Sequence, residues 1–229
     1  YDLSWHGLDL YYNLKLFKYG LNKGLFSEIP TAMMVFPYYY FNYDQSRSPY
    51  QYKSGHMFAC RGLRDWHNCA SVSGAYNYIA NYRLFGESIA EQCHFERFQY
   101  CVTRKFQGDP VMVGGVWTAN RVATVEENTK LFDELICVLE QQNKKIKMVV
   151  PPLNFSALND ESKEAVKKKR EEFYRIVRPY IQKKRLELFD YVELFSERPE
   201  CFYDYDHTNY DGAVEFTRYI NDCVLNEEV

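Results

Sequence analysis

Two kinds of apolar pattern alternate along the chain. Over residues 9–25, Leu10, Tyr11, Leu14, Leu16, Phe17 and Leu21 recur at helical spacing. Lys15, Lys18 and Lys23 lie between them and Gly20 and Gly24 near the end, which predicts an amphipathic helix. Residues 31–36 (TAMMVF) form instead a nearly continuous apolar run between Pro30 and Pro37. Such a run between breakers predicts a strand buried on both faces. Helical spacing returns with Val125, Leu131, Phe132, Leu135, Ile136 and Leu139; Thr124 is placed as the cap, and Glu126 and Glu127 in the first turn, where negative charge is favoured. Residues 146–150 (IKMVV) predict a second buried strand, ended by Pro151 and Pro152. A helix is expected from Asp160 through Val177, a third strand at residues 186–190, and a last helix over residues 210–225 with Ala213, Phe216, Tyr219, Ile220 and Val224 along one side.

Strands alternating with helices predict an α/β domain whose strands at 31–36, 146–150 and 186–190 lie parallel in one sheet. Three strands make a small sheet, so one or two more are expected upstream of Tyr1 or from Tyr1 to Trp5. Residues 37–65 are rich in Tyr, Ser, Gly and Pro, and 66–105 look helical in pieces; the stretch from about 45 to 115 reads as an insertion in a single domain spanning 1–229.

Composition narrows the classes. With 229 residues, 46% of them hydrophobic and 26% charged, the chain can bury a sizeable core and is not a disordered or fibrous protein. Lys plus Arg at 28 against Asp plus Glu at 31 gives a net charge of −3, so the totals suggest no nucleic-acid partner. The basic stretch 163–170 is interleaved and flanked by Glu161, Glu164, Glu171 and Glu172, which predicts a solvated helix face rather than a phosphate site. Seven cysteines without CxxC spacing read as mostly reduced, buried thiols. No apolar run is long enough to span a bilayer and no signal-peptide pattern is present, so a cytoplasmic location is expected, although the chain begins at Tyr1 and an upstream segment is expected to be missing. The 21 tyrosines cluster locally, and Tyr38, Tyr39 and Tyr40 are candidate substrate-binding residues, since tyrosine-rich loops suit polar ligands with apolar faces.

The densest reactive cluster runs from Phe202 to Gly212 (FYDYDHTNYDG), after the third strand and before the last helix, where open α/β sheets place their sites. Asp204 and His207 are three apart, a spacing that lets a carboxylate hold Nδ1 and leave Nε2 as a general base. Asp206 and Asn209 are left to cap the last helix. Asp204, Asp206, His207 and Asp211 are also suitable metal ligands, but no second His or carboxylate cluster completes a set, so neither metal nor cofactor is expected.

The DxxH before a terminal helix resembles the last block of SGNH/GDSL hydrolases. Residues 202–213, followed by Phe216-Thr217 and Ile220-Asn221, are similar to the closing motif of SGNH-like proteins found among bacterial surface-polysaccharide genes. Residues 2–12 (DLSWHGLDLYY) resemble the segment there that ends the second strand and enters a helix, and 127–151 resemble the penultimate helix and fourth strand. The resemblance implies a three-layer, flavodoxin-like parallel sheet with the 45–115 insertion. It implies a serine-type esterase or O-acyltransferase acting on a glycan, with His207 as base, Asp204 as its orienter and a nucleophilic serine in a block upstream of Tyr1. Ser71 and Ser73 follow no buried strand and fit that role poorly. The oxyanion donors implied are backbone N–H groups of Ser4 or Gly7 and the side chain of Asn42, which lies several residues past the strand end. The alternative is a glycan-binding or assembly module that keeps the fold without turnover.

Overall fold

The computed structural model describes residues 10–22, 24, 26–42 and 122–225. These fall into two compact units, one helical and one built on a sheet. The helical unit contains α1 (Leu10–Asn22), a 3-10 turn (Tyr40–Asn42) and α2 (Val122–Gln141). Helix α1 ends as the glycines predict: Gly24 adopts φ 70°, open to a residue without Cβ, and its N–H bonds the Leu21 carbonyl at 2.9 Å. The returning chain lays the Phe26 ring on Gly20, where any Cβ would lie 2.0 Å from the ring. On α2, Phe132 meets Phe41 edge to face at 5.3 Å, and Asn128 donates to the Phe41 carbonyl at 2.9 Å, satisfying a buried backbone acceptor. Thr124 is not the cap of α2 but a buried residue of its first turn, and that turn holds no acid, so Glu126 and Glu127 lie further in. The helix begins earlier than expected because Val122 and Ala123 extend its backbone before the apolar stripe starts.

The sheet unit is mixed α/β with three parallel strands in the order β1 (Thr31–Val35), β2 (Lys145–Val150), β3 (Glu187–Asp190). The expected parallel arrangement is observed. Val35 is in register with Val149 and Asp190 with Val150, so the three carboxyl ends finish level. Central β2 is buried from Ile146 to Val150. One expectation fails at β1, which is not buried on both faces: Met33 is 41% and Val35 53% exposed, since β1 lies at the edge of the described sheet.

Helix α3 (Asp160–Gln182) starts where expected and is capped by Asn159, whose side chain accepts from the Ser162 N–H. Helix α4 (Tyr210–Ile220) runs on into a wider π-type turn, Asn221–Leu225. Val149 joins Phe195, Phe202, Phe216, Ile220 and Val224 in one buried cluster. Lys147 shares the Val149 face by strand alternation and donates its ammonium to the Val224 carbonyl, so a buried charge ends on a backbone acceptor at the end of the terminal helix.

The basic stretch 163–170 divides. Lys163, Lys167 and Lys168 are exposed as expected. Arg170 is only partly solvated: it donates to Asp190 at 2.9 Å and Glu193 at 2.6 Å. Cys137 and Cys223 are half-buried and Cys201 is buried; the other four cysteines lie outside the described residues.

Candidate active site

The cluster found in sequence folds into a short closed loop. Phe202 and Thr208 form an antiparallel bridge, Tyr203 N–H donates to the His207 carbonyl at 2.9 Å, and Asn209 N–H donates to the Cys201 carbonyl at 3.0 Å. Inside the loop the Asp204 carboxylate accepts from the backbone N–H of Asp206 at 3.0 Å and of His207 at 2.8 Å, a local bonding pattern open to aspartate because its side chain is short. Asn209 then caps α4: its Oδ1 accepts from Gly212 N–H at 3.0 Å, while Nδ2 donates to the carbonyls of Glu200 at 2.6 Å and Phe202 at 3.3 Å. Gly212 is required by close approach, since a Cβ there would lie 2.0 Å from the Cys201 carbonyl oxygen.

The loop is held at the carboxyl edge of the sheet. Asn154, fully buried after the end of β2, donates through Nδ2 to the Asp204 carbonyl at 3.2 Å and through its backbone N–H to the Tyr205 carbonyl at 3.0 Å. Its own Oδ1 accepts from the Ser156 hydroxyl at 2.6 Å. From the end of β1, the Tyr39 hydroxyl donates to Asp206 Oδ2 at 3.1 Å.

Within this frame His207 Nδ1 lies 2.9 and 3.0 Å from the two Asp204 oxygens, so the expected pairing forms. That contact selects the tautomer with the proton on Nδ1; Nε2 has no partner among the described residues, and the side chain is 37% exposed, leaving the ring within reach of a substrate. Asp206 departs from expectation. It does not cap α4; its Oδ1 lies 2.8 Å from Nδ1, with the side chain only 6% exposed. The ring N–H is directed at Asp204, and Asp206 Oδ1 receives no well-aligned hydrogen bond. Asp206 is drawn in because the turn set by Asp204 places it under the ring and Tyr39 holds its other oxygen. Asn209 does cap, as expected.

The electrostatics follow this crowding. For Asp204, burial pushes the carboxyl up, but the hydrogen bond and charge of His207 and two backbone N–H donors outweigh it and hold the group below its ordinary value. Asp206 is raised, chiefly by burial, which the His207 contact does not offset. Burial works against a charged His207, yet the hydrogen bond to Asp204 and the close carboxylates of Asp206 and Asp204 prevail and raise it to about 10. Burial first, then the Asp206 charge, raises the hydroxyls of Tyr38, Tyr39 and Tyr205. Asp204, Asp206 and His207 are also the group among the described residues whose donor atoms, within 4.8 Å of one another, could share a cation. Such an ion would have to displace the Nδ1 proton bonded to Asp204.

The remaining sequence candidates separate. Tyr39 belongs to the site through Asp206, and Tyr38 packs edge to face on Tyr39 at 5.3 Å. Tyr40 and Asn42 belong to the 3-10 turn of the helical unit, where Tyr40 accepts from Asn13 and Asn42 is 2% exposed. Ser4, Gly7, Ser71, Ser73 and the 45–115 insertion lie outside the described residues. Sequence reasoning missed Asn154, although an Asn two residues past the Pro151-Pro152 strand stop sits where edge residues turn toward a site. Among the described residues no helix is long and apolar enough to cross a membrane. Comparisons of the chain with protein-family models, with curated proteins and with solved structures found no match.

Proposed function

We propose that the chain carries the acid–base half of a serine-type, SGNH-like site, and that the protein is an esterase or O-acyltransferase acting on a cell-surface glycan or its precursor. The observation that carries this reading is the Asp204 carboxylate on His207 Nδ1 at 2.9 Å, in a half-exposed loop at the level carboxyl ends of three parallel strands. In the proposed reaction a serine outside the described residues, ahead of Tyr1 by the order of the motifs, attacks the acyl carbonyl. Nε2 of His207 takes the serine proton and returns it to the departing sugar oxygen. Water, or a second sugar hydroxyl, then gives its proton to Nε2 and attacks the acyl-enzyme; as the acyl–serine bond breaks, Nε2 returns that proton to the serine oxygen, and acid is released or the acyl group transferred. Asp204 holds the ring and balances the imidazolium. The oxyanion donors are proposed to be backbone N–H groups outside the described residues. Tyr38, Tyr39 and Tyr40 are proposed to face the glycan.

One observation favours a second reading, a glycan-binding module without turnover: with two carboxylates at Nδ1, His207 holds its proton at neutral pH and is a poor base there. A fluorophosphonate probe, which labels activated serines, separates the two. The full-length protein is expected to label at one serine, with labelling and ester hydrolysis falling roughly 10²-fold or more in His207→Ala. Absence of labelling across pH 6–10, together with retained binding to an acylated polysaccharide, would replace the enzyme with the module.

A further inference from the structure

We infer that Asp206, fixed by Tyr39, is a second positioning carboxylate of His207 that sets how tightly the imidazole keeps its proton. For its catalytic meaning this rests on the acyl-transfer reading; the contact itself does not. The DxxH pairing needs one carboxylate, and Asp204 already accepts the Nδ1 proton at 2.9 and 3.0 Å. Asp206 Oδ1 stands 2.8 Å from the same nitrogen without a directed donor, in a position only 6% exposed. A buried carboxylate oxygen at that distance has no reason to stay unless it interacts with charge on the ring. Its other oxygen is pinned by the Tyr39 hydroxyl at 3.1 Å, so the chain leaving β1 fixes how close the second charge comes.

Among the described residues the groups around the ring are few. From its own loop they are Asp204, Asp206, Tyr203, whose ring lies 5.8 Å away, and Tyr205; from the end of β1, Tyr38 and Tyr39. Beyond Tyr38, the guanidinium of Arg170 on α3 is committed to Asp190 and Glu193. Among the described residues, Asp206 is therefore a second group, beside Asp204, whose charge can change the proton affinity of His207. With both carboxylates ionised, removing the imidazolium proton would leave two neighbouring negative charges in a mostly buried loop. The proton is held, and base action is displaced to alkaline pH.

The test is a titration of the His207 ring by NMR in the full-length protein, its signal identified among the five histidines by comparison with His207→Gln. The wild type is expected to titrate well above an ordinary histidine, and Asp206→Asn to lower the midpoint by at least one pH unit, a tenfold loss of proton affinity. In the same variant the acid limb of the kcat/KM profile moves down by a similar amount, whereas damage to the fold would lower the plateau without moving the limb. An unmoved midpoint in folded Asp206→Asn overturns the inference. Should that variant not fold, the wild-type carboxyl carbon of Asp206 decides. An inflection at the His207 midpoint supports the contact, and its absence overturns it. A lowered midpoint with no serine labelling in any variant upholds Asp206 and sinks the esterase instead.

Discussion

Two aspartates at the carboxyl edge of the sheet each accept a tyrosine hydroxyl, and their proton affinities shift in opposite directions. Asp190, the last residue of β3, takes Oδ2 bonds from Tyr174 and Arg170 of α3 and an Oδ1 bond from Val192 N–H at 3.0 Å. Burial opposes its ionisation, but the bonds from Tyr174 and Arg170 outweigh burial and hold the carboxyl below its ordinary value. Burial and then the same contact push the Tyr174 hydroxyl up to about 12. Asp206 has its tyrosine too, yet it is raised by burial, because its cation among the described residues is a histidine already committed to Asp204. Arg170 cannot surrender its proton, whereas His207 can. A fixed cation makes a structural ion pair; a titratable, shared one makes a site whose charge follows pH.

The sharpest way to break this contrast is to neutralise each carboxylate in turn. Asp190→Asn is expected to cost about 1–3 kcal/mol, since it takes from a partly buried guanidinium the more buried of its two carboxylates, whereas Asp206→Asn should cost less because Asp204 still holds the His207 ring. Urea unfolding at pH 7 reads both, and equal losses would make the two carboxylates the same kind of group. Next in size is the pH dependence. Because the Asp190 carboxyl is lowered on folding, its contribution is complete above the ordinary aspartate value near pH 4 and is lost as pH falls through the folded value. His207 is raised to about 10, so its contribution is complete below the ordinary histidine value near 6.5 and is lost as pH rises toward 10, with raised Asp206 acting in the same direction. Urea midpoints should therefore decline on both sides. Arg170→Met should flatten the acid limb and His207→Gln the alkaline limb, and an alkaline limb unchanged in His207→Gln would remove the contrast.

The same two regions show what sequence could reveal. Asp204, His207 and Asn209 were legible because each works within its own loop: an i, i+3 pairing and an N-cap are fixed by spacing alone. The parallel strands were legible from short apolar runs between helices. Asp206, Asn154 and Arg170 were not, because each acts through a partner far away in sequence: Tyr39, the backbone of residues 204–205, and Asp190. The charge pattern of 163–170 correctly described three lysines and misplaced Arg170, since periodicity shows which face a side chain occupies and not whether a strand end waits beside it. The burial of β1 failed for a related reason: an apolar run reports hydrophobicity, while edge or centre is decided by pairing.

Smaller effects sharpen the picture at its margins. Asn209→Ala removes the α4 cap and the bonds to the Glu200 and Phe202 carbonyls that close the His207 loop; a loss of about 1–2 kcal/mol is expected by urea unfolding, with broadened His207 NMR signals. A loss below a few tenths would mean the loop is held by its other bonds, those of Asn154, Asp204 and Tyr39. The smallest effect belongs to the double change Lys167→Ala and Lys168→Ala. Both lysines are exposed and make no ion pair among the described residues, although they lie within one turn of Arg170 in the same basic run. If the run acted as one charged surface, neutralising two of its members would weaken the Arg170 pairs and change binding to polyanions. Because Arg170 instead answers to Asp190 and Glu193, stability should move by no more than about 0.5 kcal/mol and the acid limb set by Asp190 should stay in place. A shifted acid limb in the double variant, or a salt-sensitive affinity for polyphosphate that it abolishes, would show that charge sign along the helix outweighs the local geometry at β3.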